Sequence, residues 1–206
     1  MVATRYTRAA FTMIELIFAI IIISMSVITL PQIIQITSKT VEGNIVQEAI
    51  FAASAELMGA TSYYWDLSSM QDYNLSHLSR VVDIEATCES NSSSSRYRLR
   101  LGHVEGLYHR RCLESSFGIV SNIADANFLN LNNTVHGNQL IFTNETKDAK
   151  GYKDSYYSTL SATQGLGDAN IKELTLSVTK SDGTPITTLK SYCANIGEVD
   201  YYKRRF

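Results

Sequence analysis

The most informative absence in this chain is charge: from Leu16 to Ser38 there is no Asp, Glu, Lys or Arg. Other absences narrow the chemistry. The 3 cysteines, Cys88, Cys112 and Cys193, form no CxxC pair, which argues against structural zinc. The 4 histidines (His77, His103, His109 and His136) have no HExxH spacing and read as solvated or hydrogen-bonded surface groups. No GxSxG elbow occurs, and Gly165-Leu166-Gly167 is followed by Asn170 where a dinucleotide fingerprint wants glycine. No repeat or second domain is evident, and a net charge of −2 gives no bulk signal for nucleic-acid binding.

What fills the uncharged stretch is hydrocarbon. Leu16 to Leu30 holds eleven Leu, Ile, Phe, Val and Met residues. A helix crosses the hydrocarbon core with roughly 20 apolar residues, so a membrane span is expected here. Glu15 stands at its head. An acidic residue at mid-membrane costs about 2.5 to 3.5 kcal/mol, less towards the interface, so it either snorkels or finds a partner. Arg5 and Arg8 precede the span, and Lys39 with nearby Glu42 follows it, which places the N-terminus in the cytoplasm and the rest outside.

Past Pro31, which should kink or locally loosen the helix, the helical pattern continues. Val41, Ile45, Ala49, Ala52, Ala53, Leu57 and Ala60 recur at spacings of three and four. One amphipathic face is therefore expected to pack on a domain, with Gly59 and Thr61-Ser62 as the stop. The remainder reads as one head domain. Thr61 to Arg80 is a Tyr- and Ser-rich connection with room for a short helical turn, and Glu89 to Ser95 is an exposed loop. Arg96 to Leu101 alternates and reads as a half-buried strand, with Gly102 to Arg111 returning as its partner. Ile171 to Thr179, the Ser181-Asp182-Gly183 turn and Ile186 to Leu189 read as a hairpin, with Pro185 at an edge or beside a bulge.

The leader with Arg5 and Arg8, the junction Ala9-Ala10 and the run Phe11-Thr12-Met13-Ile14-Glu15-Leu16 together resemble the class III signal of type IV pilins and type II secretion pseudopilins. The resemblance covers about the first 31 residues. It implies that a prepilin peptidase cuts between Ala10 and Phe11, before the apolar helix rather than after it, so that the helix stays in the product. Phe11 becomes the first residue, with a methylated amine, and Glu15 the fifth. The family usually has Gly where Ala10 stands, and its proline most often lies twenty-second, where Pro31 is twenty-first. In this reading Glu15 pairs with the Phe11 amine of a neighbouring subunit and fixes register during assembly.

The fold so implied is α+β and pilin-like, with a long N-terminal helix on an antiparallel sheet. Residues 1–10 are the cleaved leader, 11–60 the transmembrane and spine helix, and 61–206 the head. Removing the leader takes two Arg and leaves a formal charge of 16 − 20 = −4. The expected role is that of a minor pilin or pseudopilin subunit of a type IV pilus-like or type II secretion filament, without enzymatic activity. Its partners would be the peptidase, other pilin or pseudopilin subunits, the inner-membrane assembly machinery and membrane lipid. The head would lie in the periplasm until the subunit enters the fibre. In that oxidising space Cys88 and Cys112 are the first pairing to expect, worth about 3 kcal/mol, with Cys112 and Cys193 second.

Three further readings remain open. Asp148, Asp154, Asp168 and Asn170 carry oxygens suited to calcium, which some pseudopilins bind, although their spacing matches no EF-hand and solvated turns explain them as well. Arg96, Arg98 and Arg100, on one face of an alternating strand with Arg110, Arg111, His103 and His109 nearby, suit DNA backbone contact in a competence pilin. Their plain alternative is a solvated face, and Lys203-Arg204-Arg205 would add to the stripe or fray. The last is a single-pass anchored enzyme or adhesin that never polymerises.

Overall fold

The computed structural model describes residues 12–70, 74, 77–102, 110–114, 120–141 and 155–199. It comprises one helix, α1 (Met13–Ala60), and four strands: β1 (His136–Leu140), β2 (Tyr156–Gln164), β3 (Ile171–Lys180) and β4 (Pro185–Ala194). Short 3₁₀ turns occupy Leu67–Ser69 and Leu131–Thr134. The chain divides into two compact units, residues 1–47 and 48–206.

The described part of the first unit, from Met13 onward, is helix. The described residues up to 44 are all exposed, Ile17, Ile22 and Ile28 at 54, 63 and 64%. With a mean hydropathy of 2.5 over 18 residues, the helix is long and apolar enough to cross a membrane. Five of its hydroxyls bond within the helix itself. Ser24, Ser26, Thr37 and Thr40 donate to the carbonyls of Ile20, Ile22, Ile33 and Ile36 at 2.7 to 2.9 Å, and Thr29 donates to Ser26 at 3.2 Å. Pro31 lies inside the helix. It withholds an amide from the Val27 carbonyl, and the helical assignment runs through it.

The second unit is the head, into which α1 contributes its last turns. Ala49, Ala53, Leu57 and Ala60 form a buried stripe at spacings of four, four and three. Small alanines on that stripe let the helix backbone approach what it covers. At the helix end, Thr61 and Ser62 hydroxyls donate to the Met58 and Gly59 carbonyls, both at 2.7 Å. They satisfy carbonyls of the last turn, the Gly59 carbonyl also accepting from the Ser62 amide at 3.0 Å.

The sheet is antiparallel throughout, in the order β1-β2-β3-β4. Lys172, Leu174, Leu176 and Val178 of β3 alternate onto the core face, joined by Tyr156, Ser158 and Leu160 of β2. Each buried Leu contributes about 1.5 to 3 kcal/mol. The β3–β4 hairpin expected from sequence is present, turning at Gly183 with φ +83°. Pro185 opens edge strand β4 beside a register shift at Val178/Thr179. β1 is bulged between His136 and Gln139.

Candidate functional site

The helix start is the first site. Thr12 and Glu15 form a reciprocal capping box: Glu15 Oε2 accepts from the Thr12 amide and hydroxyl, each at 2.9 Å, and the Glu15 amide donates to Thr12 Oγ1 at 3.4 Å. The T-x-x-E spacing carried this signal, and sequence reasoning directed at the membrane cost of Glu15 passed over it. Within one chain the carboxylate therefore has a local partner. Ala10 and Phe11, the expected processing residues, lie outside the described residues.

The second site surrounds the cysteines. A disulfide joins Cys88 and Cys112, with Cα atoms 6.2 Å apart. Both are buried with Val81 in a small cluster. Isolated bridges bring the segments together: Val81 pairs with Cys112, Cys88 with Arg100 and Leu99 with Arg111. Cys193 is a free, half-buried thiol whose titration burial pushes up, partly offset by the Lys172 ammonium. Its carbonyl accepts the Trp65 indole N–H at 2.9 Å.

The arginine stripe is corrected here. Arg96 to Leu101 is not a regular alternating strand, because the chain turns through 95–98 and Arg98 takes φ +60°. Arg98 is buried, where its guanidinium donates to the Leu113 carbonyl and lies 3.9 Å from the Asp83 carboxylate. These internal acceptors draw it inward, which breaks the alternation. Arg100 is half-buried and donates to the Asn195 carbonyl at 2.8 Å. Arg96 is half-buried in the turn. The three thus form no common solvent-facing row. His103, His109 and Lys203-Arg204-Arg205 lie outside the described residues.

Asp168 is committed locally, accepting from the Asn170 amide at 2.8 Å and its side-chain nitrogen at 3.2 Å. Those bonds hold its carboxyl below the usual range. Asp148 and Asp154 lie outside the described residues. Among the described residues, no three His, Cys, Asp or Glu side chains converge as a metal site.

One buried ionic cluster went unanticipated. Lys172 Nζ sits 2.7 Å from Asp66 Oδ1 and 4.7 Å from the centre of the Trp65 ring. Asp66 Oδ2 also accepts from the amides of Ser121 at 2.9 Å and Ser68 at 3.1 Å. Burial pushes the Asp66 carboxyl up, but the Lys172 ammonium and the two amides together outweigh it and hold it below its ordinary value. The cluster ties the segment after α1 to β3 and to residues 121–122, which makes it a brace. Matching the chain against protein-family models, curated proteins and solved structures finds no similar family, protein or fold.

Proposed function

We propose that the chain is a prepilin-like assembly subunit, processed between Ala10 and Phe11 and incorporated as a minor subunit into a type IV pilus-like or type II secretion filament. The supporting observation is the two-part character of α1. Its first part exposes every apolar residue, which only lipid or other apolar helices would cover, and its last turns are the buried spine of an α+β head. Packing, not catalysis, is the activity. The chain waits as a single-pass inner-membrane protein with its head in the periplasm, where its disulfide persists.

In this reading Glu15 exchanges its Thr12 partners for the Phe11 amine of an adjacent subunit. Two substitutions separate that role from the capping role. Gln at this position still completes a capping box but carries no charge, whereas Ala removes both. The proposal expects Glu15→Gln and Glu15→Ala to be cleaved normally and both to fail in co-assembly. Efficient incorporation of Glu15→Gln would reduce Glu15 to a helix cap. Processing itself is read by intact-mass and N-terminal peptide analysis of the membrane protein, with and without a prepilin peptidase. A product starting at Phe11 supports the pathway. An uncut chain, beside a peptidase active on a control, leaves an anchored protein that does not polymerise.

A further inference from the structure

We infer that the open edge of β4 pairs with the β4 edge of a second copy of this chain, antiparallel and in the register that sets Lys190 opposite Tyr192. The direction of the backbone groups on β4 follows from two hydrogen bonds at the end of the sheet. The Gly165 amide donates to the Ile171 carbonyl and the Asn195 amide to the Asn170 carbonyl, both at 2.8 Å. Backbone groups in an antiparallel ladder change side at each residue, so odd-numbered β3 residues face β2 and even-numbered ones face β4. Lys172, Leu174, Leu176 and Val178 therefore bond to Cys193, Ser191, Leu189 and Thr187. Thr188, Lys190 and Tyr192 turn their amides and carbonyls away from the sheet. Among the described residues, none of these six backbone groups has a partner.

The two edges of the sheet are built differently. β1 is 5 residues long and bulged between His136 and Gln139, which blunts it as a template for another strand. β4 is 10 residues long, and its one proline, Pro185, stands at the start, where it leaves the later amides untouched. Lys190 is the single charge on the strand, and Glu173 of β3 holds its ammonium on the face of its own sheet. A groove of about 470 Å³ runs beside the end of β4, with residues 191–194 on one wall and 61–65 on the other. That end is open to an incoming strand.

Periodicity and charge select a second copy and its register. A second β4 brings an edge of equal length whose outward groups have the same spacing, so Thr188, Lys190 and Tyr192 meet their own kind. Setting Lys190 against the second copy's Lys190 opposes two ammonium groups across the seam, which disfavours that register. Shifted by two residues, Lys190 meets the second copy's Tyr192, which lies directly opposite Glu173 in its own sheet. The face of the joined sheets then runs from Glu173 to Tyr192, across the seam to the second copy's Lys190, and on to its Thr175. Two-fold symmetry repeats the row, so each ammonium reaches an aromatic ring with a carboxylate behind it. The pairing involves the head alone and depends neither on processing at Ala10 nor on polymerisation.

Ser191 is the two-fold point of that register. It faces its own counterpart in a non-hydrogen-bonded pair with Cα atoms about 4.5 Å apart, within reach of a disulfide. The test is oxidative cross-linking of the full-length chain in detergent micelles, in a Cys193→Ser background with the Cys88–Cys112 bridge intact. Ser191→Cys is expected to form a covalent dimer about tenfold faster than Thr187→Cys, which is equally half-buried but which the register carries well away from its counterpart. Lys190→Pro removes one outward amide that β3 does not use. It should slow the Ser191→Cys cross-link about tenfold while urea unfolding through Trp65 keeps its midpoint. Should the proline lower that midpoint, amide exchange of the unsubstituted chain decides. The Thr188, Lys190 and Tyr192 amides are then expected to exchange freely on dilution and to gain about fivefold protection or more at high concentration. Equal cross-linking at 187 and 191 means collision in the micelle or dimerisation through α1, and protection at every dilution means that the chain's own residues cover the edge. Either result overturns the pairing, as does the absence of a dimer.

Discussion

Lys172→Met removes the ammonium from the buried cluster and leaves the Asp66 carboxylate inside. The fully buried carboxylate retains the Ser121 and Ser68 amides as donors. Breaking a buried pair from one side costs about 3 to 5 kcal/mol, and the surviving amides place this case near ~3 kcal/mol at neutral pH. The pH dependence is more diagnostic than the magnitude. In the wild type the folded-state carboxyl titrates below its unfolded value. Its contribution is therefore present above the ordinary carboxylate range and lost as pH falls through the folded value. Without Lys172, burial is opposed only by the amides and the Ser121 hydroxyl, the folded value rises, and acid relieves the penalty instead of removing a benefit. The Lys172→Met deficit should thus shrink steadily between about pH 7 and about pH 4. Urea unfolding followed through Trp65, the one tryptophan and a member of the cluster, reads this directly. A deficit below about 1 kcal/mol, or one that grows in acid, would refute the reasoning.

Reducing the Cys88–Cys112 bridge, which closes a separation of 24 residues, should cost about 3.5 kcal/mol in the chain-entropy model. Equal unfolding midpoints with and without reductant would contradict that. Asn195→Ala should destabilise by about 2 to 3 kcal/mol in urea unfolding, because it strands the Val82 amide and carbonyl and the Asn170 side chain, all within 3.0 Å of the buried carboxamide. Gly165→Ala should cost about 1 to 3 kcal/mol by thermal unfolding, since a Cβ there meets Ile171 Cγ2 at 3.0 Å and the Glu173 amide nitrogen at 3.2 Å. An unchanged melting temperature would mean that the β2–β3 turn yields freely.

The helix and the last hairpin were legible because their patterns are long and periodic. Leu174, Leu176 and Val178 alternate cleanly, and Ser181-Asp182-Gly183 carries turn chemistry. β1 and β2 were not. HGNQL has only Leu140 as a strand-forming apolar residue, and YYSTLSATQ spreads hydroxyls over both faces, so pairing with β3 rather than local pattern makes it a strand. The Arg96 to Leu101 alternation misled for the opposite reason. The sequence alternates with a strand's period, but the chain turns there and Arg98 is drawn to Asp83 and Leu113, each 15 residues away. Nor did sequence spacing link Asp66 to Lys172, because 106 residues separate them.

The hydroxyls within the apolar part of α1 have a wider consequence. Each of Ser24, Ser26, Thr29, Thr37 and Thr40 spends its proton on a carbonyl of its own helix. Moving this rod from acyl chains to a bed of other apolar helices need not break or make any of these bonds. To the rod, oil and protein are interchangeable surroundings. If the chain assembles as proposed, choice between them falls to shape and to Glu15 at its tip.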